Sequence, residues 1–271
     1  MSRRPAPLSL IVLIAAGAAP TGAAAAAPVD LLSHRAAYRL SLGKSDTVSG
    51  IESARGALVL EWRADCAGWL SQQRLGIVAE GQDGGPGFTS DVRFSSWEAP
   101  DYTRLRFNSR SLENGEEQEA YTGTATLEAR GGKGEARYTG GDAEEGAEER
   151  TEALPPGTLF PTEHVMRLIE AARGGERIVG SLVFDGSGAA GLSRVTAAIG
   201  PEQKAPGSGE RRWPVSLAYH DAEGTDELPE VELAFRLAEN GVLHDITLNY
   251  GDFVLQGELE KLEPLDEPKC E

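Results

Sequence analysis

From about residue 30 onward, apolar and polar residues alternate with a period of two. Tyr38, Leu40 and Leu42 alternate with Arg39 and Ser41. Leu58, Leu60 and Trp62 share one face, and Ala57, Val59 and Glu61 the other. Val92, Phe94 and Ser96 alternate, and Leu105 and Phe107 follow. The same pattern carries Val183, Val195, Leu217, Tyr219, Leu233, Phe235, Leu237, Ile246, Leu248, Tyr250, Phe253 and Leu255. Successive side chains of a strand point to opposite faces, so these runs, each bounded by Gly, Pro, Asn or Asp, predict about a dozen or more strands. Asn240-Gly241 predicts a hairpin turn in which both residues take positive φ. Asp185-Gly186 and Glu223-Gly224 are weaker turn signals.

One segment follows a different period. Val165, Leu168, Ile169 and Ala172 fall at helical spacing and form one apolar stripe. Pro161 suits a first helical turn, Glu163 and Arg173 complement the two ends of the dipole, and Gly174 suits the position after the last turn. The spacing predicts an amphipathic helix over 161–173. An otherwise all-β chain with one such helix implies a barrel or strongly curved sheet, with the helix covering or plugging an open side.

The charge balance narrows the partners. The chain has 271 residues with 43 acids against 26 bases, a formal net charge of −17. Such a surface repels nucleic acid and anionic headgroups. The acids cluster in 113–119, 142–152 and from Glu258 to the end, which reads as solvated loops and a solvated tail; 131–152 reads as a mobile loop around one short strand. Arg3 and Arg4, the apolar run from Leu8 and the small residues up to Ala27 have the layout of a secretory signal. This reading makes 1–27 a cleaved signal peptide and 28–271 one exported β-rich domain, soluble rather than membrane-spanning. The two cysteines, Cys66 and Cys270, suggest a disulfide in an exported chain, with two unrelated buried thiols as the alternative.

Candidate chemistry is sparse. Gly186-Ser-Gly188-Ala-Ala-Gly191 matches a dinucleotide fingerprint, but the following Leu192–Ile199 alternates like a strand, where that site needs a helix. None of His34, His164, His220 and His244 has zinc-protease spacing, and there is no nucleophile-elbow motif. His164 reads as a buried residue anchoring the helix, with a general base as the alternative. Trp62, Trp69, Trp97 and Trp213 lie on or beside strands, and read either as core or as the lining of an apolar cavity. The residues point to no catalytic group, no cofactor and no metal.

Several segments in order carry a resemblance. They are His34-Arg-Ala-Ala-Tyr38, Cys66-Ala-Gly68, Ser96-Trp-Glu98, Leu154-Pro-Pro-Gly-Thr-Leu-Phe-Pro-Thr-Glu-His164, Phe184-Asp-Gly-Ser187, Trp213-Pro214, Glu239-Asn-Gly241, Tyr250-Gly-Asp-Phe253 and the late Cys270. Together they resemble the EipB-like cell-envelope integrity family of alphaproteobacteria, with Trp69 where tyrosine is expected. The resemblance implies a periplasmic protein, a many-stranded spiral or broken antiparallel β-barrel with one long helix, and a disulfide joining Cys66 to Cys270. It implies a shape similar to lipoprotein carriers and brings no catalytic residue. The resulting expectation is a non-enzymatic periplasmic protein that supports envelope integrity by binding an apolar ligand, such as a lipid or lipoprotein, or a periplasmic envelope protein. His164, Trp62, Trp97 and Trp213 are the candidate ligand or structural site. The alternative is an envelope hydrolase acting on glycan or lipid.

Overall fold

The computed structural model describes residues 27–45, 49–142, 148–186, 191–222, 224, 228–229 and 231–270. Apart from Ala27, the expected signal peptide lies outside the described residues, as do residues 187–190 of the glycine-rich match and Glu223 of the weakest turn.

The chain forms β1 (His34–Ser45), β2 (Ile51–Asp65), β3 (Gly68–Gly81), β4 (Phe88–Glu98), β5 (Arg104–Glu113), β6 (Glu116–Leu127), β7 (Gly134–Asp142), β8 (Glu148–Leu154) and β9 (Thr158–Leu159). Helix α1 (Pro161–Gly174) follows, then β10 (Ile178–Phe184), β11 (Leu192–Ile199), β12 (Gln203–Lys204), β13 (Arg211–Asp221), β14 (Val231–Ala238), β15 (Leu243–Asn249) and β16 (Phe253–Pro264). They build one sheet in the order β8-β7-β6-β5-β4-β3-β2-β1-β16-β15-β14-β13-β11-β10-β9, with β12 attached to β13. Neighbours are antiparallel except β9 and β10. The sheet is a nearly closed barrel whose two edge strands, β8 and β9, follow one another in the chain. The seam therefore lies where Leu154 leads through 155–157 into Thr158, immediately before α1.

Hairpin connections account for most of this order, and the long-range closure is the pairing of β1 with β16, from His34 opposite Pro264 to Ser45 opposite Phe253. The acidic C-terminal stretch is only in part a solvated tail. Asp266 and Glu267 are exposed beyond the last strand. Glu258 to Glu263 belong to the outer half of β16, where acids meet the arginines of β1, with Arg39 2.7 Å from Glu258 and 3.3 Å from Glu260. The 131–152 segment likewise holds two strands, β7 and β8, rather than one short strand, with 143–147 outside the described residues. Both stretches look like loops because their outward face is charged; the inward residues of the strands they belong to (Ala136 and Tyr138 of β7, Leu154 of β8, Leu255 of β16) are buried.

Two turns differ from expectation. Asn240-Gly241 does connect β14 to β15, but only Gly241 has positive φ (88°), and the Ala238 N–H donates to the Val242 carbonyl at 2.9 Å across a longer loop. The two-residue turn with both φ positive is Asn114 (53°) and Gly115 (84°), between β5 and β6, inside the acid-rich stretch expected to be a loop.

Helix α1 spans 161–174, one residue beyond the expected end, and its left-handed cap is Gly175 (φ 78°) rather than Gly174. It buries Leu168, Ile169, Ala171 and Ala172 in a cluster with Ala36, Tyr38, Leu60, Val179, Val195, Trp213, Leu237 and Ile246. Its apolar stripe therefore turns into the barrel. Burying Leu168 and Ile169 contributes about 1.5–3 kcal/mol each. A second cluster around Phe107, Tyr121, Tyr138, Phe160 and Phe184 fills the side next to the seam. A third, around Leu40, Ile51, Ile77 and Leu255, fills the inner ends of β1, β2, β3 and β16.

Candidate functional site: an apolar cavity beneath the helix

The registers of β1 to β4 stack inward-facing residues in layers. His34, Trp62, Ser71 and Ser96 lie opposite one another; next come Ala36, Leu60, Gln73 and Phe94; next Tyr38, Leu58, Leu75 and Val92. The far wall presents Leu217, Leu233, Phe235 and Leu248, and α1 presents Pro161, His164, Val165 and Leu168. Between them lies a cavity of about 360 Å³. That is within the range of small-molecule sites, about 300–1,000 Å³. Gln73 is exposed and Leu58, Leu75, Val92 and Phe94 are half-buried, so solvent reaches the cavity along the β3–β4 wall.

The helix over this cavity is held from outside its own sequence. Its Ncap residue, Phe160, offers no side-chain acceptor. Instead the Glu98 carboxylate, at the end of β4, accepts the N–H groups of Thr162 (2.8 Å) and Glu163 (3.2 Å). These are two of the donors a helix start leaves unpaired. Glu98 is buried, and desolvation outweighs these hydrogen bonds, so its pKa is pushed up to about 7. Beside it, Arg130 pairs with the Glu163 carboxylate and stacks on Tyr102, 4.8 Å from the ring centroid. The Tyr102 hydroxyl donates to Met166 Sδ at 3.1 Å. The sequence reading missed Glu98, although its neighbourhood was legible: Ser96-Trp-Glu98 and Phe160-Pro-Thr-Glu-His164 are two of the segments that carry the family resemblance, and here they meet.

His164 sits one turn into α1, buried, and lines the cavity. Its backbone N–H donates to the Phe160 carbonyl at 2.9 Å. Its Nε2 is buried and makes no hydrogen bond, and burial lowers its pKa to about 4, so the imidazole is neutral. A general base needs an oriented partner, and Nε2 has none among the described residues. Trp62 also lines the cavity, with its Nε1 buried and unpaired among the described residues. His34 faces Trp62 across the strand pair, and its Nδ1 lies 2.7 Å from the Leu32 carbonyl.

The other two tryptophans are elsewhere. Trp97 points out of the barrel, under Arg106 (5.0 Å) and Arg104 (5.9 Å). Trp213 is fully buried in the main cluster, with the Arg211 guanidinium 5.0 Å from its ring centroid. The structure thus brings His164 and Trp62 to one cavity and places Trp97 and Trp213 outside it. Period-two alternation separates Trp97 from Ser96, but it does not separate a cavity wall from a packed core, which is the distinction between Trp62 and Trp213.

Cys66, in the turn between β2 and β3, is disulfide-bonded to Cys270, with Cα atoms 5.4 Å apart. The bond ties the segment after β16 to β2, across β1. Gly186 (φ 73°) lies against Phe107, where a Cβ would meet ring carbons at 2.3–2.7 Å. The strand β11 begins at Leu192, so the helix that a dinucleotide site requires is absent there. Among the described residues no group of three or more His, Cys, Asp and Glu side chains could hold a metal ion, and no helix is long and apolar enough to cross a membrane.

The comparisons with known proteins agree with this fold. The chain is 32% identical over 259 residues to the cell envelope integrity protein EipB of Brucella abortus (strain 2308), covering 91% of this chain and 89% of the relative. Its fold is similar to the crystal structure of a beta-barrel-like protein of domain of unknown function DUF1849 from Brucella abortus, with a TM-score of 0.76 and 29% identity over 88% of this chain and all of that one. The model of the EipB-like family matches residues 25–266, and the chain belongs to that family.

Proposed function

We propose that this chain is a non-enzymatic, exported protein of the periplasm that supports envelope integrity by holding an apolar ligand in the cavity beneath α1. The envelope role rests on the name of the Brucella relative and on the shared family. The ligand reading rests on one observation above all: a cavity of about 360 Å³ walled by leucine, phenylalanine and valine from both sides of the barrel. Apolar surface buried there gains about 25 cal/mol per Å² removed from water. A cavity that served only packing would be filled, because unfilled core volume costs stability. The single domain over 28–271 and the removal of 1–27 belong to the same reading.

The test fills the cavity. Leu58→Trp places a larger apolar side chain on its wall without touching the disulfide or the helix cap. In the native host, the reading predicts normal export and folding of this variant and lost resistance to envelope-stressing detergent. A folded Leu58→Trp protein that restores full resistance contradicts the ligand reading.

A further inference from the structure

The outer face of β1–β5 has a charge pattern opposite to that of the chain. One outward row places Arg74, Arg93 and Arg110 directly opposite one another on β3, β4 and β5. The next row holds Arg35 and Glu61, and the one after holds Arg63, Trp97 and Arg106. These three rows carry six arginines and one acid, Glu61, in a chain whose acids outnumber its bases 43 to 26. Neighbouring strands lie about 4.8 Å apart, and like charges directly opposite on one face destabilise a sheet. The arginine row thus works against the fold, which marks this face for a role outside it.

The acids within reach are shared. Asp91 pairs with both Arg74 (3.0 Å) and Arg93 (2.7 Å). Glu61 serves both Arg35 (2.5 Å) and Arg63 (3.7 Å), and Arg35 also reaches Glu263 at 4.0 Å. Arg110 takes Glu117 of β6 at 2.9 Å. Arg106 is exposed, makes no ion pair among the described residues, and lies over the Trp97 ring at 5.0 Å. Stacking orders that guanidinium and leaves its N–H edge free for a carboxylate fork. Between the arginine row and Trp97, two shallow depressions of about 360 and about 320 Å³ meet at Gln72, Ser95 and Asn108.

The face selects its partner by chemistry. It is rich in donors, and its own carboxylates are engaged, so the partner supplies acceptors with negative charge. The Trp97 ring is covered by Arg106 and, at 5.9 Å, by Arg104, so it is no open platform for a sugar ring. The outer wall of a barrel is convex, and Val59 is the exposed large apolar side chain in these rows, which suits a bilayer poorly. Arginine and tryptophan in a polar surround are the residues that dominate protein interfaces. Independently of any ligand in the cavity, we propose that the outer face of β1–β5 docks an acidic, extended segment of a partner protein. Its carboxylates meet Arg74, Arg93 and Arg106 along the depression.

The experiment titrates the disulfide-bonded protein into a rhodamine-labelled octapeptide of alternating glutamate and serine, read by fluorescence anisotropy at low salt. In an extended peptide alternate side chains share one face, so the glutamates can meet the arginines together. The expected result is saturable binding that weakens with added salt, and none of the analogue with glutamine for glutamate. Arg93→Gln/Arg106→Gln binds at least tenfold more weakly. Arg194→Gln/Arg236→Gln, which removes the same charge from exposed positions on β11 and β14, binds within twofold of the parent. In the unsubstituted protein, amide resonances of β3–β5 shift with the peptide and those of β13–β15 do not, a readout independent of how any variant folds. Equal losses in the two double variants, or no binding at all, would overturn the proposal. So would tighter binding of anionic phospholipid vesicles or of heparin than of the peptide, or a concentration-dependent dimer that Arg93→Gln/Arg106→Gln abolishes, which would give the face to a membrane, a glycan or a second copy of this chain.

Discussion

The Glu98 carboxylate and the Thr162 backbone N–H, 64 residues apart in sequence, meet at 2.8 Å and join the end of β4 to the first turn of α1. The helix roofs the cavity, so this contact fixes the position of the roof. Glu98→Ala removes the acceptor for two helix-start donors. It is expected to lower unfolding free energy by about 2–3 kcal/mol, with Glu98→Gln in between, as read by urea denaturation. An alanine variant within 0.5 kcal/mol of the parent would show that the roof is held by packing alone.

The same carboxyl gives the fold a pH dependence that runs against that of His164. Glu98 has a pKa of about 7 in the fold against 4.5 unfolded, so between those values the folded chain keeps a proton that the unfolded chain has released. Its contribution to stability falls as pH rises through that window, by up to roughly 3 kcal/mol. His164 has a pKa of about 4 in the fold against 6.5 unfolded, so there the unfolded chain holds the extra proton and stability rises with pH. The two slopes oppose each other where the windows overlap. Relative to the parent, Glu98→Gln gains stability from pH 4.5 to 7, and His164→Gln loses it from pH 4 to 6.5. Urea midpoints measured across this range check both signs.

The disulfide closes a loop with a sequence separation of 204. The chain-entropy model assigns such a loop about 5 kcal/mol as an upper figure. Because β1 and β16 remain paired without it, Cys66→Ser is expected to fold, to unfold at lower urea and to leave one free thiol at Cys270. Two free thiols in the oxidised parent protein would contradict the bond.

Gly186 serves packing. Its φ of 73° and the approach of the Phe107 ring leave no room for a methyl group. Gly186→Ala is expected to cost about 2 kcal/mol or more in thermal or urea unfolding, because it adds backbone strain to a ring clash. Gly115→Ala, which meets nothing within 4 Å, carries the strain of its positive φ alone and is expected to cost less.

Much of the fold is legible in the sequence because a barrel wall has two different faces. Tyr38, Leu40, Leu58 and Leu60 declare their strands by alternating with polar residues, and α1 declares itself by the stripe through Leu168 and Ile169. The strands β7, β8 and the outer half of β16 are hidden because their inward residues are few or small (Ala136, Gly257) while their outward residues are charged. The cap by Glu98 is hidden for another reason: one more acid among 43 carries no local sign that its partner is a helix start 64 residues on. Of the site, the sequence offers His164 and Trp62 as candidates together with Trp97 and Trp213. What separates them is whether a wall residue meets a void or a neighbour, and that depends on strands distant in the chain.

The central claim is that the cavity under α1 holds an apolar ligand. Native mass spectrometry of the protein isolated from its own host's envelope, without detergent, tests it most directly. The expected spectrum shows the disulfide-bonded chain carrying a bound molecule of lipid mass, which organic extraction releases and which Leu58→Trp lacks. A spectrum of bare chain alone, in parent and Leu58→Trp protein alike, would contradict it.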